Sequence, residues 1–159
     1  MLQGDRRLSP RVIEAFYAVP RHWFVERYRH FCNPDWQHVT DADLHEHLPA
    51  IYRNDGLGIA STSSDEVIAT ISVPACVLYM LELLQIEPGH RVFEVGAGSG
   101  WNAGLMGHLA GPGGHVESVE FIPALTDHAA RAITRSGLAN VHIVRTSSPL
   151  LRVLPSSSP

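Results

Sequence analysis

The chain contains no lysine. All 12 of its basic residues are arginine, against 16 Asp and Glu, for a formal charge of −4 with His neutral. The all-arginine set reflects a bias in nucleotide composition, not chemistry. The acidic balance argues against nucleic acid as the main partner, because phosphate binding draws on a basic surface. Cysteine is scarce as well. Cys32 and Cys76 lie far apart and match no metal or redox spacing, so both are expected to be buried free thiols in a reducing cytoplasm. Long apolar runs are missing. The start, Met1 to Arg7, is polar and leads into no apolar h-region, so no secretory leader is expected. The longest apolar stretch, Val73 to Leu84, is interrupted by Pro74 and Glu82 and is too short to span a bilayer. His38, His45 and His47 have no cysteine or second spaced pair beside them, so no metal site is expected.

What is present describes one ordinary globular domain. The chain has 159 residues, 45% hydrophobic and 18% charged, which is enough to bury a sizeable core. Ser9-Pro10 opens a helix with an apolar face of Val12, Ile13, Phe16 and Tyr17, ending near Pro20. Trp23, Phe24 and Tyr28 are expected to pack in the core or a lid. Arg21 is expected in a surface ion pair. Residues 26–66 read as loops with one short helix near Asp41–Leu48, and Asp65-Glu66 as a solvated loop edge. A helix from about Pro74 to Gln85, capped by Ser72 or the residue after it, is expected to be largely buried through Val77, Leu78, Met80, Leu81 and Leu84. Then comes a regular alternation. Strands are expected at Arg91–Val95, His115–Val119 and Asn140–Val144, with helices at Trp101–Leu109 and Pro123–Ser136 between them, the second stopped by Gly137. That order predicts a parallel sheet with right-handed crossovers.

The chemistry concentrates where the first of these strands turns into its helix. Val92-Phe93-Glu94-Val95-Gly96-Ala97-Gly98-Ser99-Gly100 is a buried strand running into a glycine-rich turn. Glycine permits positive φ and close backbone approach to a ligand, and the following helix offers unpaired N–H groups. The dinucleotide fingerprint fails, because Trp101 stands where its spacing requires otherwise. The pattern is Glu-x-Gly-x-Gly-x-Gly, which favours S-adenosylmethionine. Glu94 is an acid inside an apolar strand, a break of the local rule that tends to mark function. Glu120, at the end of the next strand, is placed to accept hydrogen bonds from ribose hydroxyls. The two carboxylates also suit a sulfonium cation.

These residues, taken with three other stretches, resemble the protein-L-isoaspartate O-methyltransferase family of class I methyltransferases. The stretches are Ala15-Phe16 to Val19-Pro20-Arg21 to Phe24-Val25, Ala69-Thr70-Ile71-Ser72-Val73-Pro74, and Met80 to Leu84 with Pro88-Gly89-His90-Arg91-Val92. The likeness covers roughly residues 10–25 and 66–144. It implies an α/β fold with a Rossmann-like parallel sheet, of which the first three strands are present, behind an N-terminal helical extension. It implies that Thr70, Ile71 and Ser72 border cofactor and substrate, with Ser72 as the active-site serine. Glu94, Gly96, Gly98 and Ser99 would line S-adenosylmethionine, Glu120 would hold its ribose, and Phe121 would lie against its adenine. The acceptor would be the carboxylate of an L-isoaspartyl residue in a damaged protein or peptide. The competing readings are a methyltransferase acting on another peptide or small molecule, and an inactive fragment or interaction protein.

Residues 26–66 match the family poorly, and Ala75-Cys76-Val77 lacks its usual His or Met. After Val144 the family's Gly-Asp-Gly motif is replaced by Arg145-Thr146-Ser147-Ser148. The expected organisation is therefore the N-terminal part of a methyltransferase domain over 1–145, a loose Ser/Pro-rich tail over 146–159, and an exposed apolar edge on the first parallel strand.

Overall fold

A computed structural model describes residues 8–147, except Pro34. The Ser/Pro-rich tail from Ser148 onward and the first seven residues lie outside the described residues. Helix α1 (Pro10–Ala18) starts at Ser9, whose hydroxyl accepts from the Val12 N–H, with Pro10 in the first turn. A single 3-10 turn, Arg21–Phe24, follows.

The stretch expected to be loops is instead a small antiparallel sheet. Strands β1 (Arg27–His30), β2 (Gln37–His38), β3 (Leu57–Ser61) and β4 (Val67–Ile71) assemble in the order β2-β1-β3-β4. Helix α2 (Leu44–Ile51) lies between β2 and β3, three residues later than expected and with Pro49 inside it. The N-terminal extension is therefore mixed, not helical. All four strands are short, and the first two escape sequence patterning because they are also polar, as in the Arg27-Tyr28-Arg29-His30 of β1.

Helix α3 (Pro74–Leu84) begins at Val73, with no side-chain cap of its own; the Asn54 side chain instead accepts from the Ala75 N–H at 3.0 Å. It buries Val77, Leu78 and Leu81 but leaves Met80, Leu83 and Leu84 exposed, so it is less buried than its composition suggests. The cysteines depart from expectation too: both are exposed free thiols, Cys76 on the outer side of α3 and Cys32 in the turn after β1.

The second half follows its periodicity closely. Strand β5 (Arg91–Val95), helix α4 (Trp101–Ala110), strand β6 (His115–Glu120), helix α5 (Pro123–Ser136) and strand β7 (Val141–Arg145) form a parallel sheet in the order β5-β6-β7. The register pairs Glu94 with Ser118 and Val95 with Val119, then Glu120 with Arg145. One face, carrying Val116, Ser118, Glu120 and Val141, is buried. On the other, Phe93 is 48% and Val95 66% exposed, so β5 is not the fully buried strand its run of apolar residues suggests. It is an edge strand among the described residues. A single core joins the two halves, running from Val12, Phe24, Ile51 and Leu57 to Trp101, Leu105 and Val116.

Candidate functional site

The end of β4, the start of α3 and the turn after β5 enclose a cleft of about 200 Å³. Thr70, Ile71, Ser72, Val77 and Met80 form one wall. Glu94, Gly96, Ala97, Gly98, Ser99, Trp101 and Asn102 form the other. The fold therefore gathers Thr70, Ile71, Ser72, Glu94, Gly96, Gly98 and Ser99 from distant parts of the chain. Ser72 is exposed at this cleft.

The turn needs its glycines. Gly96, Gly98 and Gly100 have φ of 88°, 54° and 86°, in the left-handed region where side chains are strained. A Cβ on Gly96 would meet nothing within 4 Å, and one on Gly98 would sit 3.7 Å from the Thr70 carbonyl oxygen. The backbone is thus bare on the cleft side. Gly100 serves packing, since a Cβ there would stand 3.1 Å from that of Ala129 on α5. The Ser99 hydroxyl accepts from the Trp101 N–H at 3.2 Å, which caps α4 in place of the glycine at its N-cap.

Both acids are held by neutral donors. Glu94 accepts from Asn102 Nδ2 at 2.6 Å through one oxygen and from the Ser118 hydroxyl through the other. Burial pushes its carboxyl above the ordinary range; the bonds from Ser118 and Asn102 oppose that, and the charge of Glu120 adds to it. Glu120 is only 4% exposed. Its Oε2 accepts from the Gly98 N–H at 3.0 Å, and its Oε1 from the N–H groups of Phe121 at 2.9 Å and Ile122 at 3.0 Å. Glu120 therefore braces the turn from beneath while standing outside the ring of residues that line the cleft. Phe121 is exposed and also outside that ring.

Sequence reasoning missed Asn102, Trp101 and Arg21. Asn102 has a signal, being a polar residue in the first turn of a helix that otherwise faces the sheet. Arg21 contradicts the surface reading outright: it is 0% exposed. Its Nη1 donates to the carbonyls of Ile51 and Arg53, and its Nη2 to those of Asp55, Ile71 and Ser72. Burial pulls its pKa down to about 10, against opposing contributions from Tyr52 and Asp55, so the charge persists at neutral pH. Phe24 and Tyr28 are core residues as expected, while Trp23 is partly exposed. Asp65 is exposed, as expected of a solvated loop edge, and there accepts from Trp36 Nε1 at 2.8 Å and from Arg29 at 2.6 Å.

A parallel sheet whose first strand carries Glu94 and ends in a glycine turn braced by Glu120 defines an α/β protein of the class I methyltransferase type. The comparisons with known proteins specify it further. A family model described as protein-L-isoaspartate(D-aspartate) O-methyltransferase matches residues 2–148. The chain belongs to that family. It is 36% identical over 137 residues to a protein-L-isoaspartate O-methyltransferase of Pyrococcus horikoshii, covering 86% of this chain and 50% of that one. A relative of the same name from Methanococcoides burtonii is 37% identical over 134 residues, covering 84% and 54%. A solved structure named protein-L-isoaspartate O-methyltransferase superposes with a TM-score of 0.69 at 27% identity, covering 87% of this chain and 38% of that one. The chain thus spans about half the length of the curated relatives it matches.

Proposed function

We propose that the chain binds S-adenosylmethionine in the cleft between Thr70–Ser72 and the glycine turn, and serves methyl transfer to the free carboxylate of an L-isoaspartyl residue, a protein-repair reaction of the cytoplasm. The observation that carries the reading is the convergence of the Thr70-Ile71-Ser72 wall on Glu94, Gly96 and Gly98. The residues fit the cofactor. The bare glycine backbone admits close approach, and two carboxylates favour a cation. Glu120 uses three of the roughly four lone-pair sites of a carboxylate on backbone N–H groups, which leaves acceptor capacity for a hydroxyl. Family membership and the names of the relatives support the same reaction. Two exposed, unpaired cysteines fit a reducing compartment. No helix among the described residues is long and apolar enough to cross a membrane.

When bound, the cofactor supplies an electrophilic methyl group. The protein's part is positional. A carboxylate acceptor is already ionised at neutral pH, so no general base is required. Ser72 orients the acceptor by hydrogen bonding, Glu94 and Asn102 fix the cofactor side of the cleft, and Glu120 keeps the turn in register. The rate gain then comes from alignment of the reacting groups.

The test is calorimetric titration of the purified chain with S-adenosylhomocysteine, beside Glu120→Gln. Saturable binding that weakens at least about tenfold in the variant is expected, from loss of a charge-assisted acceptor. Labelled methyl transfer to an isoaspartyl peptide but not to its aspartyl counterpart should follow. No binding by a folded wild-type chain rejects the reading, and transfer to both peptides rejects its substrate.

A further inference from the structure

Arg21 lies beneath the cleft, not in it. Its five acceptors are all backbone carbonyls, and they belong to two separate segments: residues 51–55, from the last residue of α2 onward, and residues 71–72, where β4 runs into the cleft wall. The guanidinium carbon also sits 5.4 Å from the centre of the Trp101 ring. Trp101 belongs to the opposite wall, directly after the glycine turn, and its Nε1 donates to the Val19 carbonyl at 3.0 Å. The tripeptide Val19-Pro20-Arg21 therefore touches both walls, holding Trp101 through the carbonyl of its first residue and Ile71 and Ser72 through the side chain of its third. A planar guanidinium suits this task, because its two terminal nitrogens spread four N–H donors in one plane and between them reach all five carbonyls. A lysine ammonium offers three donors from a single point.

The geometry points to Arg21 as the positioning residue of this cleft: it sets Ser72 against the glycine turn, so that alignment of the methyl acceptor depends on it far more steeply than cofactor affinity does. This deepens the methyl-transfer reading and rests on it. Arg21 has no place among the residues lining the cleft, so its effect must pass through the 71–72 segment. Misplacement of a reacting group by about 1 Å costs roughly a hundredfold in rate, which sets the scale.

The experiment compares wild type, Arg21→Lys, Ser72→Ala and the double variant. For a folded Arg21→Lys chain we expect S-adenosylhomocysteine affinity within about threefold of wild type and kcat down roughly a hundredfold. The double variant should be no slower than the slower single one, because both changes act at one point. An unchanged kcat, or effects that multiply, overturns the proposal. So does a parallel loss of affinity and rate. Arg21→Gln, which keeps two N–H donors without the charge, is the second variant; if neither folds, Arg21 serves the whole domain and the proposal fails. Hydrogen exchange separates this from failure of the functional reading. Even in a chain that transfers no methyl group, Arg21→Lys should speed exchange in residues 51–55 and 70–73 and leave β5–β7 protected. A uniform change, or none, overturns the assignment of Arg21 without reference to activity.

Discussion

The two walls of the cleft come from halves of the molecule that are held together by opposite charges. In the antiparallel half the cations organise the backbone. Arg21 gathers five carbonyls, Arg27 reaches the Ser61 hydroxyl while lying 4.2 Å over the Trp36 ring, and Arg29, 5.0 Å from the centre of that ring, clasps Asp65. In the parallel half the anions do so. Glu94 ties β5 to β6 and α4 through Ser118 and Asn102, and Glu120 ties the end of β6 to the glycine turn. Guanidinium groups suit the first task because they spread several donors over acceptors from separate segments. Carboxylates suit the second because two acceptor oxygens collect donors from neighbouring elements, side chains for Glu94 and backbone N–H groups for Glu120. The cleft forms where a wall shaped by cations meets a wall shaped by anions.

The comparison breaks most sharply if the halves are independent. Gly100→Ala tests this. A Cβ there meets the Ala129 Cβ at 3.1 Å and its Cα at 3.3 Å, on a backbone with φ of 86°. Left-handed strain and overpacking together should destabilise by about 2–4 kcal/mol and lower the melting temperature by roughly 10 °C. Because one core runs through both halves, amides of β3 and β4 should lose hydrogen-exchange protection together with those of β5–β7. Loss confined to the parallel half would mean two separately stable units.

The same contrast explains what the sequence makes legible. β5 to β7 and their helices follow from apolar periodicity and glycine, both local signals. The members of the cleft on Thr70–Ser72 and Glu94–Ser99 follow from those strands and from the family resemblance. The first two strands of the antiparallel half do not announce themselves. β2 has two residues and β1 reads Arg-Tyr-Arg-His, so no alternation is visible. The order of this half comes from side chains that reach far along the chain. The acceptors of Arg21 lie between 30 and 51 residues away, which is why residue type suggested a surface ion pair. Glu120 shows the reverse: its place at the strand end was plain, but its partners, the N–H groups of Gly98, Phe121 and Ile122, emerge only once the turn is folded back onto it.

Glu26 sharpens the comparison at the seam, where an anion from the first half meets cations on α5. It lies 3.2 Å from both His128 and Arg131 and 3.6 Å from Arg135. Burial works against its charge, but His128 and Arg131 outweigh that and hold its carboxyl below the usual range. A depressed acid contributes stability that is present above its unfolded pKa of 4.5 and is lost as pH falls through the folded value. Glu26→Gln should therefore cost about 0.5–1 kcal/mol at neutral pH, the scale of a solvent-screened ion pair, and nothing in acid. Urea unfolding at both pH values measures it, and a cost that persists in acid would show that packing, not charge, joins the halves at this point.

Glu94 gives the smallest net effect and the opposite sign. Burial raises its carboxyl, with Ser118 and Asn102 pulling back and Glu120 adding repulsion. An acid raised on folding contributes stability that is fully present below its unfolded pKa of 4.5 and is lost as pH climbs through the folded value. Relative to Glu94→Gln, the wild type should lose stability from about pH 4.5 upward and then level off, so that the variant is at least as stable at neutral pH. Denaturation of the pair across this window isolates the slope from all other groups. The same variant should bind S-adenosylhomocysteine more weakly if the carboxylate is kept ionised, at a cost to folding, for the sake of the ligand. A wild type that gains stability with pH relative to the variant would place Glu94 with Glu26, as an anion that the fold itself requires, and would erase the distinction between the seam and the cleft.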